Sequence, residues 1–241
     1  MGTLVGYSGF SATNYLSQPY NSDLDFGTGD FSIMGWASVN TTSTQRLCGR
    51  NDSTSSKRLS LYATGGSLNF YIRDTSTANV ATPISSTGAW FFFTCVRDNG
   101  TSHIYINGEL KGSTASVQDV TTVLASPFIV GAESFDQGAT VNSPATAASL
   151  ALLRISATAP SAQQIKDIYE AERPLFTENA QATLYGTSDS VTALAHDSDT
   201  NLLHVGTSSG RSVFQGLQRV SNTTTAVGSA ISASNGLVVE D

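Results

Sequence analysis

Turn-forming residues punctuate this chain roughly every ten positions, and the segments between them alternate apolar with small or polar side chains. A period of two turns one face of each segment toward a core and the other toward solvent, which is how a half-buried β-strand reads. Phe31-Ser32-Ile33-Met34-Gly35-Trp36-Ala37-Ser38-Val39 follows this pattern. Leu59-Ser60-Leu61-Tyr62 and Leu68-Asn69-Phe70-Tyr71-Ile72 flank Thr64-Gly65-Gly66-Ser67, a hairpin turn. Residues 90–96 are almost continuously apolar and suit a strand buried on both faces. Asp98-Asn99-Gly100 and Asn107-Gly108 are turns that bound His103-Ile104-Tyr105-Ile106, and the second needs positive φ. Glu109-Leu110-Lys111 leaves that turn, and residues 128–130 and 149–155 are further strands. This spacing predicts an antiparallel sandwich or barrel.

One segment departs from the rule. In residues 160–172, Ile165, Ile168 and Tyr169 fall at i, i+3 and i+4 and share a helical face. Ser161 caps the start and Pro174 ends it, so a short amphipathic helix is expected against an edge or end of the sandwich. Beyond Phe176 the chain has no Trp, Pro or Lys and is rich in Ser, Thr, Ala and Gly. Residues 190–196, 201–207 and 211–217 read as a three-stranded meander, much like one propeller blade. A lone meander is marginally stable. It is therefore expected to bury its second face against the first domain or neighbouring chains, with a homotrimer favoured. The expected division is residues 1–176 and 177–241.

Charge sets the limits on function. Charged residues are 13% of the 241 and the net charge is −7, where a soluble domain carries about 25% charged residues. Phosphate binding needs a basic patch, so nucleic acid is not an expected partner. No apolar run approaches the roughly 18 residues that span a bilayer, so no membrane insertion is expected. Residues 1–10 have neither a basic nor an apolar secretory region. Cys48 and Cys95 lie in apolar contexts and are expected as buried thiols, with a bridge or a nucleophile as the alternatives, the latter without a histidine nearby in sequence.

Four stretches resemble the laminin-G-like, concanavalin-A-like jelly-roll family. Residues 25–36 are similar to its opening strand, and residues 88–94 with 103–109 to its central hairpin. Residues 127–131 are similar to the next strand, and Leu153-Arg154-Ile155 with residues 159–165 to its last strand and closing helix. The resemblance implies an all-β, concanavalin-A-like jelly-roll sandwich with one short closing helix, followed by the small C-terminal β meander. It covers about three quarters of the chain. Such a module fused to a Ser/Thr/Ala/Gly-rich tail also resembles bacteriophage virion proteins. That implies a non-enzymatic tail appendage (a fibre) with a lectin-like head for host-surface glycans, assembled in the host cytoplasm with other virion proteins. The alternative is a capsid decoration or head-fibre protein with a purely structural role, and a carbohydrate-active hydrolase is the least expected reading.

The residues argue against hydrolysis. Retaining glycosidases place two carboxylates about 5–5.5 Å apart, in this family as Glu-x-Asp-x-x-Glu or Glu-x-Asp-x-Glu. Glu109, Glu133, Glu170, Glu172, Glu178 and Glu240 fit neither pattern. A Gly-x-Ser-x-Gly elbow is absent. His103, His196 and His204 are expected in structural or surface roles. Asp197-Ser198-Asp199-Thr200-Asn201 starts like a calcium loop but has Leu202 and Ser208 where glycine and glutamate are required. No cofactor is expected. Calcium has only scattered donors, Asp23, Asp25, Asp30, Asp52 and Asp74, without a motif. Sugar binding uses aromatic platforms with amides and carboxylates in loops. The residues expected to serve are Tyr20, Asn51, Asp52, Asp74, Phe135 and Asp136, from a wider set with Tyr7, Phe10, Tyr15 and Asn79. Residues 51–57 are expected to form an exposed polar connection.

Overall fold

Each alternating segment is a strand in the computed structural model, which describes residues 6–52, 56–122, 126–136, 138–176, 190–216 and 218–241. Two compact units divide the chain, Met1–Glu172 and Arg173–Asp241. The first holds β1 (Leu16–Gln18), β2 (Phe31–Val39), β3 (Gln45–Asp52), β4 (Lys57–Thr64), β5 (Ser67–Arg73), β6 (Thr77–Pro83) and β7 (Trp90–Asp98). It continues with β8 (Thr101–Ile106), β9 (Glu109–Ala115), β10 (Phe128–Val130), β11 (Glu133–Ser134), β12 (Val141–Asn142), β13 (Ala148–Ser156) and helix α1 (Ala162–Glu172).

Antiparallel pairing arranges these as a six-stranded sheet, β1-β10-β3-β4-β5-β6, and a five-stranded sheet, β13-β2-β7-β8-β9. Their inner faces carry the alternate apolar residues. Phe31, Ile33, Phe91, Phe93, Cys95 and Ile104 of one sheet share a buried cluster with Cys48, Leu59, Leu61, Leu68, Phe70, Ile72 and Val80 of the other. The all-β sandwich expectation is borne out. Both cysteines are free thiols in this cluster. Burial pushes the Cys48 thiol up to about 12, and the Cys95 thiol is raised for the same reason.

The apolar run in β7 is buried on both sides because a second layer covers its outer face. Tyr169 of α1 stacks on Trp36 with ring centroids 5.9 Å apart and lies 6.1 Å from Phe92. The Trp36 indole N–H donates to Glu172 at 2.8 Å. Ser161 caps the helix as expected, accepting from the Gln164 amide at 3.3 Å. The β8–β9 turn has Asn107 at φ 52° and Gly108 at φ 78°, the left-handed pair that a two-residue hairpin requires.

Two buried arginines tie loops to one end of the sandwich. Arg97 donates to the carbonyls of Gly29 at 2.7 Å, Gln118 at 2.6 Å and Gly27 at 2.6 Å. Arg50 donates to the Leu24 carbonyl at 2.6 Å and pairs with Asp25.

The second unit contains β14 (Val191–Asp197), β15 (Leu202–Thr207), β16 (Gly210–Gln215), β17 (Gln218–Thr223), β18 (Ile231–Ser234) and β19 (Leu237–Glu240). The first four form one antiparallel sheet and the last two a separate hairpin. The meander is therefore one strand longer than the sequence suggested. Strand β17 escaped notice because Gln218-Arg219-Val220-Ser221-Asn222-Thr223 offers a single large apolar side chain to any period-two reading. Leu217, expected to end the third strand, lies outside the described residues.

Candidate functional site

Strands that send one set of side chains into the core must present the other set outward. In β4 the outward set is Arg58, Ser60 and Tyr62, and in β5 it is Asn69, Tyr71 and Arg73. Register places Arg58 opposite Arg73, Ser60 opposite Tyr71 and Tyr62 opposite Asn69. Strand β6 adds Asn79 opposite Tyr71, and β3 adds Arg46 opposite Tyr62 and Asn51 opposite Arg58. Two tyrosines, three amides and three guanidinium groups thus share the outer face of the six-stranded sheet.

The arrangement is braced. Glu133 enters from the segment after β10 and is 1% exposed. It accepts Nε and Nη2 of Arg58, both at 2.6 Å, and lies 3.2 Å from Arg46 Nε. The Ser60 hydroxyl donates to it at 3.3 Å. A two-pronged Arg–carboxylate pair fixes orientation as well as charge. The Arg46 guanidinium sits 4.2 Å from the Tyr62 ring centroid. That of Arg58 lies 5.1 Å from the Tyr71 ring and 4.9 Å from the Phe135 ring. Asn79 Nδ2 donates to Asn69 Oδ1 at 3.2 Å, which orients both amides. Burial lowers the pKa of Arg46, opposed by the Glu133 carboxylate.

Of the residues expected from sequence, Asn51 and Phe135 border this face through Arg58. Phe135 is 37% exposed. Asp136 is engaged in its own turn, accepting from the Ser134 hydroxyl and the Thr140 amide, both at 2.7 Å. Those bonds, the Ser134 hydroxyl first, hold its carboxyl below the usual range. Asp74 closes the β5–β6 turn, accepting from the Ser76 amide at 2.7 Å and the Asp119 amide at 3.1 Å. Burial alone would raise its carboxyl, but these amides outweigh burial and lower it. Tyr20 lies apart, its hydroxyl donating to Asp25 Oδ2 at 2.8 Å, a bond that raises its pKa. Tyr7 is exposed and Phe10 is core.

The exposed polar connection is corrected in part. Asn51 and Asp52 end β3, Lys57 begins β4, and Asp52 is fully buried, so its carboxylate faces the interior. Residues 53–55 lie outside the described residues. Three of the five scattered calcium donors are engaged elsewhere. Asp25 pairs with Arg50, Asp30 accepts the Asn99 amide at 2.9 Å, and Asp74 is committed to its turn. Among the described residues, no three His, Cys, Asp or Glu side chains gather as a metal site.

Sequence reasoning missed Arg46, Arg58, Arg73, Tyr62, Tyr71 and Asn69. The signal was present, since the off-core positions of the 58–73 hairpin include Arg58, Tyr62, Asn69, Tyr71 and Arg73 among its Ser and Thr.

Comparison with known proteins bears on the fold. The family described as the concanavalin A-like lectin/glucanases superfamily matches residues 10–166. A native heptameric SAP-like pentraxin from Limulus polyphemus superposes with a TM-score of 0.53 at 17% identity, over 68% of this chain and 80% of that one. Domain 4 of AbnA, a GH43 extracellular arabinanase from Geobacillus stearothermophilus in complex with arabinotriose, gives 0.53 at 21% identity, over 70% and 82%. The receptor binding domain of botulinum neurotoxin D gives 0.54 at 16% identity, and 57% of that chain is covered. No curated protein matches.

Proposed function

The chain belongs to the concanavalin A-like lectin/glucanase superfamily, and from that premise we propose that it is a non-catalytic glycan-binding module. Its binding surface is the outer face of the six-stranded sheet. One observation carries the reading: Tyr62, Tyr71, Asn69, Asn79 and Arg73 share one face of adjacent strands, where Glu133 holds the two arginines that lie over the tyrosine rings. Sugar rings offer C–H faces to aromatic rings and hydroxyls to amides and guanidiniums, and this set supplies both kinds of partner. The arabinotriose complex of a relative with this fold lends support by analogy.

The non-catalytic part rests on charge. Glycoside hydrolysis needs a carboxyl group that takes or gives a proton and a second one across the bond. Glu133, the carboxylate on this face, is buried and held by Arg58 and Arg46. The setting suggested by the sequence, a phage appendage assembled as a homo-oligomer, remains part of the proposal. The homo-oligomer part draws support from the exposed Val191, Leu194, Leu237 and Val239 of the second unit, apolar surface suited to a second copy.

The test is titration calorimetry of oligosaccharides against the whole chain and a Tyr71→Ala variant. The expected result is binding that weakens about tenfold on losing the ring, the effect of a contact worth roughly 1.4 kcal/mol. Undiminished binding by that variant would refute this surface.

A further inference from the structure

We propose that this face takes an acidic glycan, a chain of sugar rings carrying fixed carboxylate or sulfate groups. The inference rests on the glycan-binding reading and adds the charge of the ligand. Arg46, Arg58 and Arg73 stand on one face, and Glu133 engages the first two, which leaves Arg73 as the guanidinium without a carboxylate contact there. The chain as a whole carries −7. A cationic excess on one face of an acidic protein is the complement of an anionic partner.

The distribution within the excess matters more than its size. Glu133 engages Arg58 and Arg46 and is fully buried. Arg73 stands directly opposite Arg58. Like charges placed opposite each other across a strand pair repel. Arg73 is solvent-exposed and has no hydrogen bond or ion pair among the described residues. The nearest acid in sequence, Asp74, accepts hydrogen bonds from Ser76 and Asp119 instead. An anion held by the Arg73 fork would relieve the repulsion and fill a donor set that the protein leaves open. It would lie two residues along β5 from Tyr71, at the next position on the same face, and that ring would carry the attached sugar. Acidic glycan rather than nucleic acid is favoured because aromatics and amides flank a single open guanidinium, not a basic stripe.

The test is calorimetry on the full chain with three size-matched oligosaccharide sets: uronate-bearing, sulfated and neutral. The variants are Arg73→Gln and, as a charge-matched control on another sheet, Lys111→Gln. The expected result is acidic binding that exceeds neutral binding, falls about tenfold in Arg73→Gln, weakens with added salt and is unchanged in Lys111→Gln. Whichever acidic set binds identifies the anion. Neutral sugars bound as tightly as acidic ones, or acidic affinity untouched by Arg73→Gln, would overturn the inference while leaving glycan binding intact. Failure of all three sets would overturn glycan binding itself.

Discussion

Single side chains decide where this sandwich departs from an ordinary apolar core. Arg97 is fully buried, donates to three carbonyls and lies with its guanidinium 4.8 Å from the Phe31 ring centroid. Those carbonyls belong to the 27–29 and 118 segments, which have no strand partners of their own. Replacing Arg97 with Met keeps the stem and removes a donor from three carbonyls, of which Gly27 retains the Val120 amide at 3.0 Å. The expected cost is about 3 kcal/mol, read from the midpoint of urea unfolding. Nothing in Cys95-Val96-Arg97-Asp98 marks the arginine as internal, because its partners are backbone atoms from distant loops. The cysteines were legible, since apolar neighbours on both sides predicted burial. They should resist a thiol reagent near neutral pH until the protein unfolds. Their linkage to stability has a definite sign. The folded Cys48 pKa of about 12 lies above the ordinary thiol value of about 8.5, so the fold holds its proton where the unfolded chain releases it. Stability should therefore be intact below about pH 8.5 and fall as pH rises toward about 12, and Cys48→Ala should flatten that fall.

At the level of elements, turn chemistry and periodicity located the strands, and the exceptions have causes. The Gly65-Gly66 and Asn107-Gly108 turns, and the α1 face carrying Ile165 and Tyr169, emerged from local rules because local φ preferences and a 3.6-residue period govern them. Strand β3 was less legible. A bulge between Arg46 and Cys48 shifts its register, so that Arg46, Gly49 and Asn51 face outward and Arg50 and Asp52 turn inward. A polar sequence there reads as a loop, yet the inward arginine pairs with Asp25. The segment after β10 crosses the outer face because Gly131 adopts φ 83° against the Phe10 ring, where a Cβ would come within 2.0 Å. That turn delivers Glu133 to Arg58 and Arg46. Glu133→Gln would leave two guanidiniums without their counter-charge in a half-buried site. We expect a loss of about 2–3 kcal/mol in unfolding free energy, toward the low end for breaking a buried pair because both arginines keep some solvent. Glycan affinity should fall with it, since the brace orients the tyrosines. A variant of unchanged stability and affinity would mean that the brace is incidental.

At the scale of the molecule, the two units meet acid differently. In the first, Asp74, Asp119 and Asp136 have carboxyls lowered by hydrogen bonds that outweigh burial where burial is the larger single effect. Their contribution is present above the ordinary carboxylate value of about 3.9 and is lost only as pH falls below it. The second unit carries His204, 5% exposed on β15, with its Nδ1 unpaired among the described residues. Burial lowers its pKa, the Arg211 guanidinium adds to this, and Asp197 and Glu240 oppose it. A lowered histidine means that the unfolded chain takes up the proton first. The fold of this unit is then fully stable above about pH 6.5 and loses stability as pH drops through the depressed value. Hydrogen exchange read residue by residue separates the units without requiring that either fold alone. Between about pH 7 and about pH 5, after correction for intrinsic rates, amides of β15 and β16 should lose protection while those of β4 and β5 keep theirs. His204→Gln, which cannot take up a proton, should abolish the difference. Equal loss in both units, or a loss that survives the substitution, would place the acid-sensitive group elsewhere.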